Sequence, residues 1–294
     1  HDYVRYPEYE GHWGYNPVSL ERFRKRTGFD GIPEPDNAMW RKWLREQVAN
    51  TVRRVYAEVT EVDPDCIVSA ATLNWGEETS PWMWKNGTPR MKANQDWVAF
   101  MKEGSLDLNC LMNYARQQLR PQRFTDYLDL ALRTRWDRHA IIGPGIHLNT
   151  VEDGLFQTKM AIEEGADGIL LYCWNQWAKD TDNSISRQQY FRRLRNEIFT
   201  EPVDLPGRPW KDDPVYGSVI GQITDESGEW VEEAVVTLDG VETMVTDGTG
   251  FYAFFRVDPG EHVVSINAPD GKTITEKCDL EAGETERIDQ AMQD

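Results

Sequence analysis

The chain has 294 residues and a formal net charge of −18 at pH 7, which argues against nucleic acids and anionic membrane surfaces as partners. It is long enough for two domains, and it contains no run of about 18 apolar residues that would predict a membrane span. The charge is unevenly distributed, because residues 215–294 hold 18 acidic and 4 basic side chains. Tryptophan is distributed in the opposite way, since 11 of the 12 tryptophans precede residue 215. These asymmetries predict two units with different roles.

The chain opens on the stretch HDYVRYP, residues 1–7, an apolar and aromatic run that carries an acid and a base and ends at proline. Proline cannot continue a strand ladder or a helix interior. We therefore expect the end of a buried strand, with polar side chains pointing into a cleft. Since a strand end normally follows the rest of its strand, we also expect the chain to begin inside a domain.

Helical periods and short apolar runs then alternate as far as residue 199. Ser19 is expected to cap the first helix. The predicted helices span residues 19–27, 36–61, 94–103, 121–135, 151–164 and 185–199. The predicted strands span residues 66–72, 106–113, 139–147 and 168–174. This alternation predicts a parallel sheet of β-α units, and helical tryptophans at core spacing (Trp40, Trp43 and Trp97) are interpreted as packing residues.

With the opening stretch, five parallel strands are predicted. A doubly wound sheet could use five strands, but no phosphate-binding glycine fingerprint follows any of them. We therefore predict an α/β plus all-β chain in which residues 1–200 form about strands 4 to 8 of a partial (β/α)8 TIM barrel, the first three strands lying before His1. A proline-rich linker is predicted at residues 201–216.

Residues 217–294 change in style to short alternating segments between Gly, Asp and Pro turns. The predicted strands there are residues 218–224, 234–238, 243–246, 251–255 and 262–268. This pattern is typical of a small Ig-like or transthyretin-like β-sandwich.

In a β/α barrel the chemistry lies at the carboxyl ends of the strands and in the loops that follow them. Those ends are rich in carboxylates, amides and aromatic rings, a combination suited to sugars because flat rings stack on sugar C–H faces. The predicted substrate contacts are Arg5, Tyr6, Trp13, Asn74, Trp75, Asn113, Tyr114, His147, Trp174 and Gln176. His12 and His147 are isolated in the sequence, so neither a metal nor any other cofactor is predicted. The four cysteines have no metal-binding spacing, and their pairing is left open.

Several motifs occur in a consistent order. They are DYVRYP at residues 2–7, Trp40 and Trp43 before REQV at 45–48, SAA at 69–71, Trp97 through KEG at 102–104 and on to Asp107, MNY at 112–114, GPG at 143–145 and EGADG at 164–168. Over residues 1–210 the sequence resembles the bacterial glycosyl-hydrolase-10-like family. The resemblance implies a β/α-barrel hydrolase of polysaccharide glycosidic bonds, some members acting on bacterial cell-wall glycan. It also implies a secreted, periplasmic or cell-surface location.

The C-terminal unit carries a second set of motifs. They are GQITD at residues 221–225 with Gly228, AVV at 234–236, Asp247 with GFY at 250–252, and Pro259-Gly260. This part resembles carboxypeptidase-regulatory-like or transthyretin-like modules, which implies an accessory role in spacing, stability or adhesion.

Glycoside hydrolysis requires two carboxyl groups. Asp2 is the first predicted catalytic carboxyl, with Arg5 orienting it or forming a structural ion pair with it. Glu77 is the second, with Glu78 as its neighbour in a long loop. The alternative function is a non-catalytic carbohydrate-binding or adhesion protein with a degenerate barrel. The sequence leaves the oligomeric state open.

Overall fold

A computed structural model describes residues 1–7, 11, 13–75, 84–178 and 185–293. The chain divides into two compact units. The first contains residues 1–8, 69–102 and 106–207, and the second contains residues 9–68, 103–105 and 208–294. In the described ranges, no helix combines the length and hydrophobicity that a membrane span requires.

Eight helices are described. In chain order they are α1 (Pro17–Thr27), α2 (Ala38–Val62), α3 (Thr88–Met91), α4 (Trp97–Glu103), α5 (Pro121–Arg133), α6 (Val151–Glu163), α7 (Arg187–Glu197) and α8 (Pro209–Asp212). The longer ones agree with the predicted helices to within a few residues. The predicted cap Ser19 is wrong: Asn16 is the N-cap of α1, and its side chain accepts a hydrogen bond from the Ser19 N–H because Pro17 already occupies the first helical position.

Four strands form the sheet of the first unit. They are β1 (Ser69–Leu73), β2 (Leu108–Met112), β3 (His139–Ile142) and β4 (Gly168–Ile169). All neighbours are parallel and the order is β1-β2-β3-β4, so strands adjacent in sequence are adjacent in space. The parallel arrangement of β-α units is confirmed. The predicted strands 139–147 and 168–174 are too long, because 3-10 and turn geometry begins soon after Ile142 and Ile169.

The prediction of a strand at the opening stretch is wrong for the described residues. Tyr3 has a φ of +53°, which lies in the left-handed region rather than the extended one, and the Arg5 N–H turns back to the Tyr3 carbonyl at 2.7 Å. Two hydrogen bonds still hold the stretch beside β1: the Ala71 N–H donates to the His1 carbonyl at 2.9 Å, and the His1 amino group donates to the Ser69 carbonyl at 2.5 Å. The sheet therefore has four named strands instead of five.

Eight strands form the sandwich of the second unit. They are β5 (Gly217–Asp225), β6 (Val235–Leu238), β7 (Glu242–Val245), β8 (Phe251–Val257), β9 (Gly260–Asn267), β10 (Thr273–Leu280), β11 (Thr285–Arg287) and β12 (Gln290–Met292). One antiparallel sheet has the order β10-β9-β6-β7, and in the other β5 pairs with β8, β11 and β12. The last three strands were not predicted. Buried side chains from both sheets form one core, including Val219, Val236, Tyr252 and Ile266.

Helix α2 packs on this sandwich within the second unit. The buried residue Ala57 shares a cluster with Ile220, Phe251 and Ala253 on strands β5 and β8. A fully buried indole, Trp40, stacks on Trp43 at 5.1 Å, so both packing assignments are confirmed. From its sequence pattern alone, α2 is predicted to belong to the β-α units. The division at residues 200 and 217 stays a prediction.

Ion pairs reinforce the packing of α2 and α1 on the sandwich. The Arg287 guanidinium binds the Glu61 carboxylate in bidentate geometry at 2.5 and 2.6 Å, and Arg22 pairs with Glu232. Bidentate arginine–carboxylate pairs are directional as well as attractive. They therefore help to define the orientation of the helices on the sheet.

A histidine–aspartate pair joins β9 to the turn after β6, and it makes the stability of the second unit depend on pH. The His262 Nδ1 lies 2.7 Å from the Asp239 carboxylate. The hydrogen bond to Asp239 raises the pKa of His262. Burial opposes ionisation of Asp239, but hydrogen bonds from His262 and the Val263 N–H outweigh it and lower the pKa of that carboxyl.

The raised pKa of His262 stabilises the fold below about pH 6.5, and this contribution is lost as the pH rises through the folded-state pKa. We expect His262→Gln to lower the free energy of unfolding by up to about 1 kcal/mol at pH 6 and by less at pH 8. Urea unfolding at both pH values measures this, with Asp239→Asn and the double variant completing the cycle. A larger loss at pH 8 than at pH 6 would contradict the prediction.

Candidate functional site

The opening stretch is held against the sheet of the first unit by one buried glutamine. The Gln95 side-chain oxygen accepts from the Leu73 N–H at 2.9 Å, and its amide nitrogen donates to the Val4 and Ala71 carbonyls at 3.3 Å. The Tyr6 N–H also donates to the Ala93 carbonyl at 2.9 Å. Gln95 thus fastens residues 1–6 to β1, near the carboxyl end of that strand.

Asp2 is exposed, and its carboxylate accepts a hydrogen bond from the Tyr3 N–H at 2.8 Å. The Arg5 guanidinium lies 4.2 Å from the centre of the Tyr3 ring, a cation–π distance. Burial raises the pKa of Tyr6, which therefore presents a neutral phenol. The opening stretch contributes an acid, a base and a phenol within six residues.

Two asparagines directly follow the carboxyl ends of β1 and β2. The side-chain amides of Asn74 and Asn113 are buried and approach to 2.8 Å, and Asn113 donates to the Phe124 carbonyl at 2.9 Å. The Arg123 guanidinium donates to the Asn74 carbonyl at 2.8 and 3.0 Å. Each asparagine follows a strand, β1 or β2, so the pair bridges neighbouring strand ends. The role of Asn74 and Asn113 as substrate contacts stays a prediction, and both side chains are buried in the structure.

Three rings form a cluster at the ends of β2, β3 and β4, here called the rim cluster: Tyr114, His147 and Tyr172. The His147 ring centre lies 5.1 Å from that of Tyr114 and 5.0 Å from that of Tyr172, and the two tyrosine rings are 5.8 Å apart. Such distances are typical of interacting aromatic side chains. The carboxyl ends of three consecutive parallel strands therefore converge on one aromatic surface.

The electrostatics of the rim cluster favour neutral groups. Burial, together with nearby Tyr172, Asp2 and Cys173, raises the pKa of Tyr114 to about 12. Burial also lowers the pKa of His147, and its buried Nδ1 has no hydrogen-bond partner in the described structure. At neutral pH the cluster thus offers a phenol and an uncharged imidazole, which donate and accept hydrogen bonds without carrying charge.

The two loops that carry Tyr114 and His147 are joined by a buried amide network. Asn149 donates to the Ala115 carbonyl at 2.9 Å and to the Gly145 carbonyl at 2.8 Å, and it accepts from the Gln117 N–H at 2.7 Å. Gln157 from α6 donates to the same Ala115 carbonyl at 3.0 Å. This network fixes the spacing of the rings above it.

Gly145 permits the close approach of these loops. A Cβ at this position would lie 3.0 Å from the Tyr114 Cα, and one at Gly143 would lie 2.9 Å from the Leu111 carbonyl oxygen. Both distances are too short for a larger residue without displacement. The GPG motif therefore brings the loop after β3 against the loop after β2.

The other predicted site residues are not part of the rim cluster. Trp75 is half-buried, and its carbonyl accepts from the Tyr127 hydroxyl. Gln176 and Trp174 are exposed in the loop after β4, and the indole is 67% exposed. Trp13 belongs to the second unit. Glu77 and Glu78 lie outside the described residues.

Tyr172 is the residue of the rim cluster that was not among the predicted site residues. Tyr172 lies two residues before the end of the predicted strand 168–174. Its aromatic side chain near a strand end was the signal that could have identified it. Within the described ranges no group of three or more His, Cys, Asp or Glu side chains could hold a metal ion. All four cysteines are free thiols, which answers the open question of their pairing.

Comparison with known proteins identifies one family. Residues 218–293 match the model of the carboxypeptidase regulatory-like domain, which confirms the resemblance predicted for the C-terminal sandwich. No curated protein matches the sequence.

Among solved structures, Bacteroides uniformis β-glucuronidase is 10% identical with a TM-score of 0.36, covering 90% of this chain and 33% of its own. The Bacillus anthracis TIE protein is 19% identical with a TM-score of 0.25, covering 26% of this chain and 16% of its own. The chain thus spans a third or less of either protein's length. At these TM-scores the likenesses carry no argument about fold or activity.

Proposed function

We propose that this chain is a glycoside hydrolase, or part of one, that cleaves O-glycosidic bonds in a polysaccharide. The rim cluster carries the proposal, because it places Tyr114, His147 and Tyr172 together at the carboxyl ends of three parallel strands, with Asp2 close enough to influence Tyr114. Neutral aromatic donors next to a carboxylate suit the binding of sugar hydroxyls and C–H faces.

The strands of the first unit are proposed to belong to a (β/α)8 barrel. Their sequential order supports this, since a doubly wound sheet reverses its strand order at a switch point. We also propose that the protein is exported, as the family resemblance implies. Bacterial cell-wall glycan is one proposed polysaccharide.

In the proposed mechanism, Asp2 is one of two catalytic carboxyl groups and Glu77 is the other. One donates a proton to the leaving oxygen, and the other attacks the anomeric carbon or activates water. Burial raises the pKa of Tyr114 to about 12, so the phenol is protonated at neutral pH and its proposed role is to donate a hydrogen bond to the substrate, not to act as a base.

The test is the release of reducing ends from a panel of polysaccharides that includes peptidoglycan glycan strands. We expect Asp2→Asn and Glu77→Gln each to lower the rate by about 100-fold to 10,000-fold. Asp129→Asn, on an exposed face of α5, is the matched control and keeps the full rate. Equal rates for the wild type and Asp2→Asn would exclude Asp2 from catalysis.

A second candidate is a carbohydrate-binding protein without hydrolytic activity. The end of β3 favours it, because residues 143–149 contain no carboxylate, whereas hydrolysis needs two carboxyl groups. Co-sedimentation with the insoluble polysaccharides separates the two functions. Binding without any release of reducing ends would select the binding protein.

A further inference from the structure

A groove of about 440 Å³ lies between the loop after β4 and helix α7. Its lining combines three arginines, an amide and two aromatic rings: Trp174, Arg187, Gln188, Phe191, Arg192 and Arg195. The volume falls within the range of small-molecule sites, about 300–1,000 Å³. The groove was not predicted from the sequence, which singled out Trp174 alone.

The helical period explains how α7 builds this surface. Residues 187, 191 and 195 are four apart, so their side chains follow one another along a single face of the helix. Residues 188 and 192 lie beside this row. Helix α7 therefore presents three arginines and a phenylalanine toward the loop that carries Trp174.

The aromatic wall is ordered by contacts with this helix. The Trp174 ring stacks on Phe191 at 5.3 Å with an angle of 22° between the planes, and the Arg187 guanidinium lies 4.6 Å from the Trp174 ring centre. The indole is nevertheless 67% exposed. A ligand in the groove would therefore find an exposed ring whose orientation is already determined.

Two of the three arginines that line the groove, Arg192 and Arg195, are exposed to solvent. Arg193, on another face of α7, pairs with Glu197 at 2.6 Å and also with Glu152. The side chains of Arg192 and Arg195 form no ion pair or hydrogen bond with any described residue. In a chain of net charge −18, two exposed arginines that have no carboxylate partner among the described residues, beside an exposed indole, are a local reversal of charge.

We propose that this groove binds an acidic saccharide, a short stretch of glycan whose sugars carry carboxylates. Guanidinium groups bind carboxylates in bidentate fashion, and an indole face stacks on the C–H face of a sugar ring. Nucleic acid fits less well, because the cations occupy two helical turns instead of tracking an extended backbone and the chain is strongly acidic. This inference rests on the proposed function and narrows its polysaccharide to an acidic class.

The experiment compares two ligands with the same sugar backbone, trigalacturonate and its methyl ester, by isothermal titration calorimetry on the full chain. We expect trigalacturonate to bind at least tenfold more tightly than the ester. The double variant Arg192→Gln/Arg195→Gln should lose at least tenfold in affinity for the acid and remain unchanged toward the ester. Arg133→Gln, an exposed arginine on α5, is the control and keeps the wild-type affinity.

Trp174→Leu tests the stacking wall separately. It should weaken both ligands by a similar factor, since stacking does not depend on the carboxylate. Circular dichroism of each variant shows whether α7 is intact.

The outcomes distinguish this inference from the proposed function. Equal affinity for the acid and the ester, or no effect of the arginine substitutions, would overturn the acidic-saccharide assignment. The proposed glycoside hydrolase activity would still stand if reducing ends were released from neutral polysaccharides. If oligothymidylate bound more tightly than trigalacturonate, the groove would be a general polyanion-binding surface instead of an acidic-saccharide site. Failure of every saccharide to bind, together with no release of reducing ends, would overturn both.

Discussion

Gly221→Ala is expected to abolish the cooperative unfolding transition of the sandwich. Gly221 lies in β5 between the part that pairs with β11 and the part that pairs with β12. A Cβ there would be 2.0 Å from the Ile288 carbonyl oxygen and 2.7 Å from the Tyr252 hydroxyl. Because the obstacle is backbone, no change of side-chain rotamer can relieve it.

Moving the chain at Ile288 would break three hydrogen bonds. The Ile288 N–H donates to the Ile220 carbonyl at 2.8 Å, the buried Tyr252 hydroxyl donates to the Ile288 carbonyl at 2.8 Å, and the Gln222 N–H donates to the Asp289 carboxylate at 2.8 Å. Overpacking costs about 1–3 kcal/mol and each lost hydrogen bond about 0.5–1.5 kcal/mol. The total, about 2.5–7.5 kcal/mol, is comparable with the whole stability of a small domain.

Calorimetry and urea unfolding measure this effect. Gly207→Ala is the matched control, because a Cβ there meets nothing within 4 Å, and it should change the free energy of unfolding by less than about 0.5 kcal/mol. Gly228→Ala also has open space but a φ of +84°, so it should cost about 1 kcal/mol from backbone strain alone. If Gly221→Ala unfolded like Gly207→Ala, the close approach of Ile288 would be refuted.

Asn149→Asp should lower the free energy of unfolding of the first unit by about 3 kcal/mol. The substitution keeps the shape of the side chain but replaces a donor by a charged acceptor. That oxygen would face the carbonyls of Ala115 and Gly145 and the Gln157 side-chain oxygen, all within 3.2 Å of the present amide nitrogen. Three acceptors around a buried carboxylate leave it without a donor on that side.

The same environment would raise the pKa of the introduced carboxyl group above its unfolded value. The folded state would then bind the extra proton, so the loss should shrink as the pH falls from 7 towards 5. Unfolding at pH 7 and pH 5 measures this. Asn175→Asp, an exposed change of the same kind, is the control and should have little effect at either pH. A loss that did not depend on pH would contradict the buried-carboxylate explanation.

Local signals were sufficient for most elements of the chain. Helix α2 was predicted at residues 36–61 and spans Ala38–Val62, because its apolar positions recur at the helical period. The sandwich was predicted at residue 217 and matches a family model from residue 218, because alternation and glycine turns are short-range patterns. The rim was harder to predict, since Tyr172 joins Tyr114 and His147 through contacts between residues 25 or more positions apart.

By itself, the sequence determined the alternation of helices and parallel strands, the change to a sandwich near residue 217 and the concentration of aromatic residues at strand ends. The tertiary structure decided which surface covers the apolar face of α2, that the opening stretch turns at Tyr3 instead of extending, and that Arg192 and Arg195 gather beside Trp174. The physical reason is that periodicity shows which face of an element is apolar or charged. The partner of that face is decided by packing and electrostatics between residues far apart in the chain.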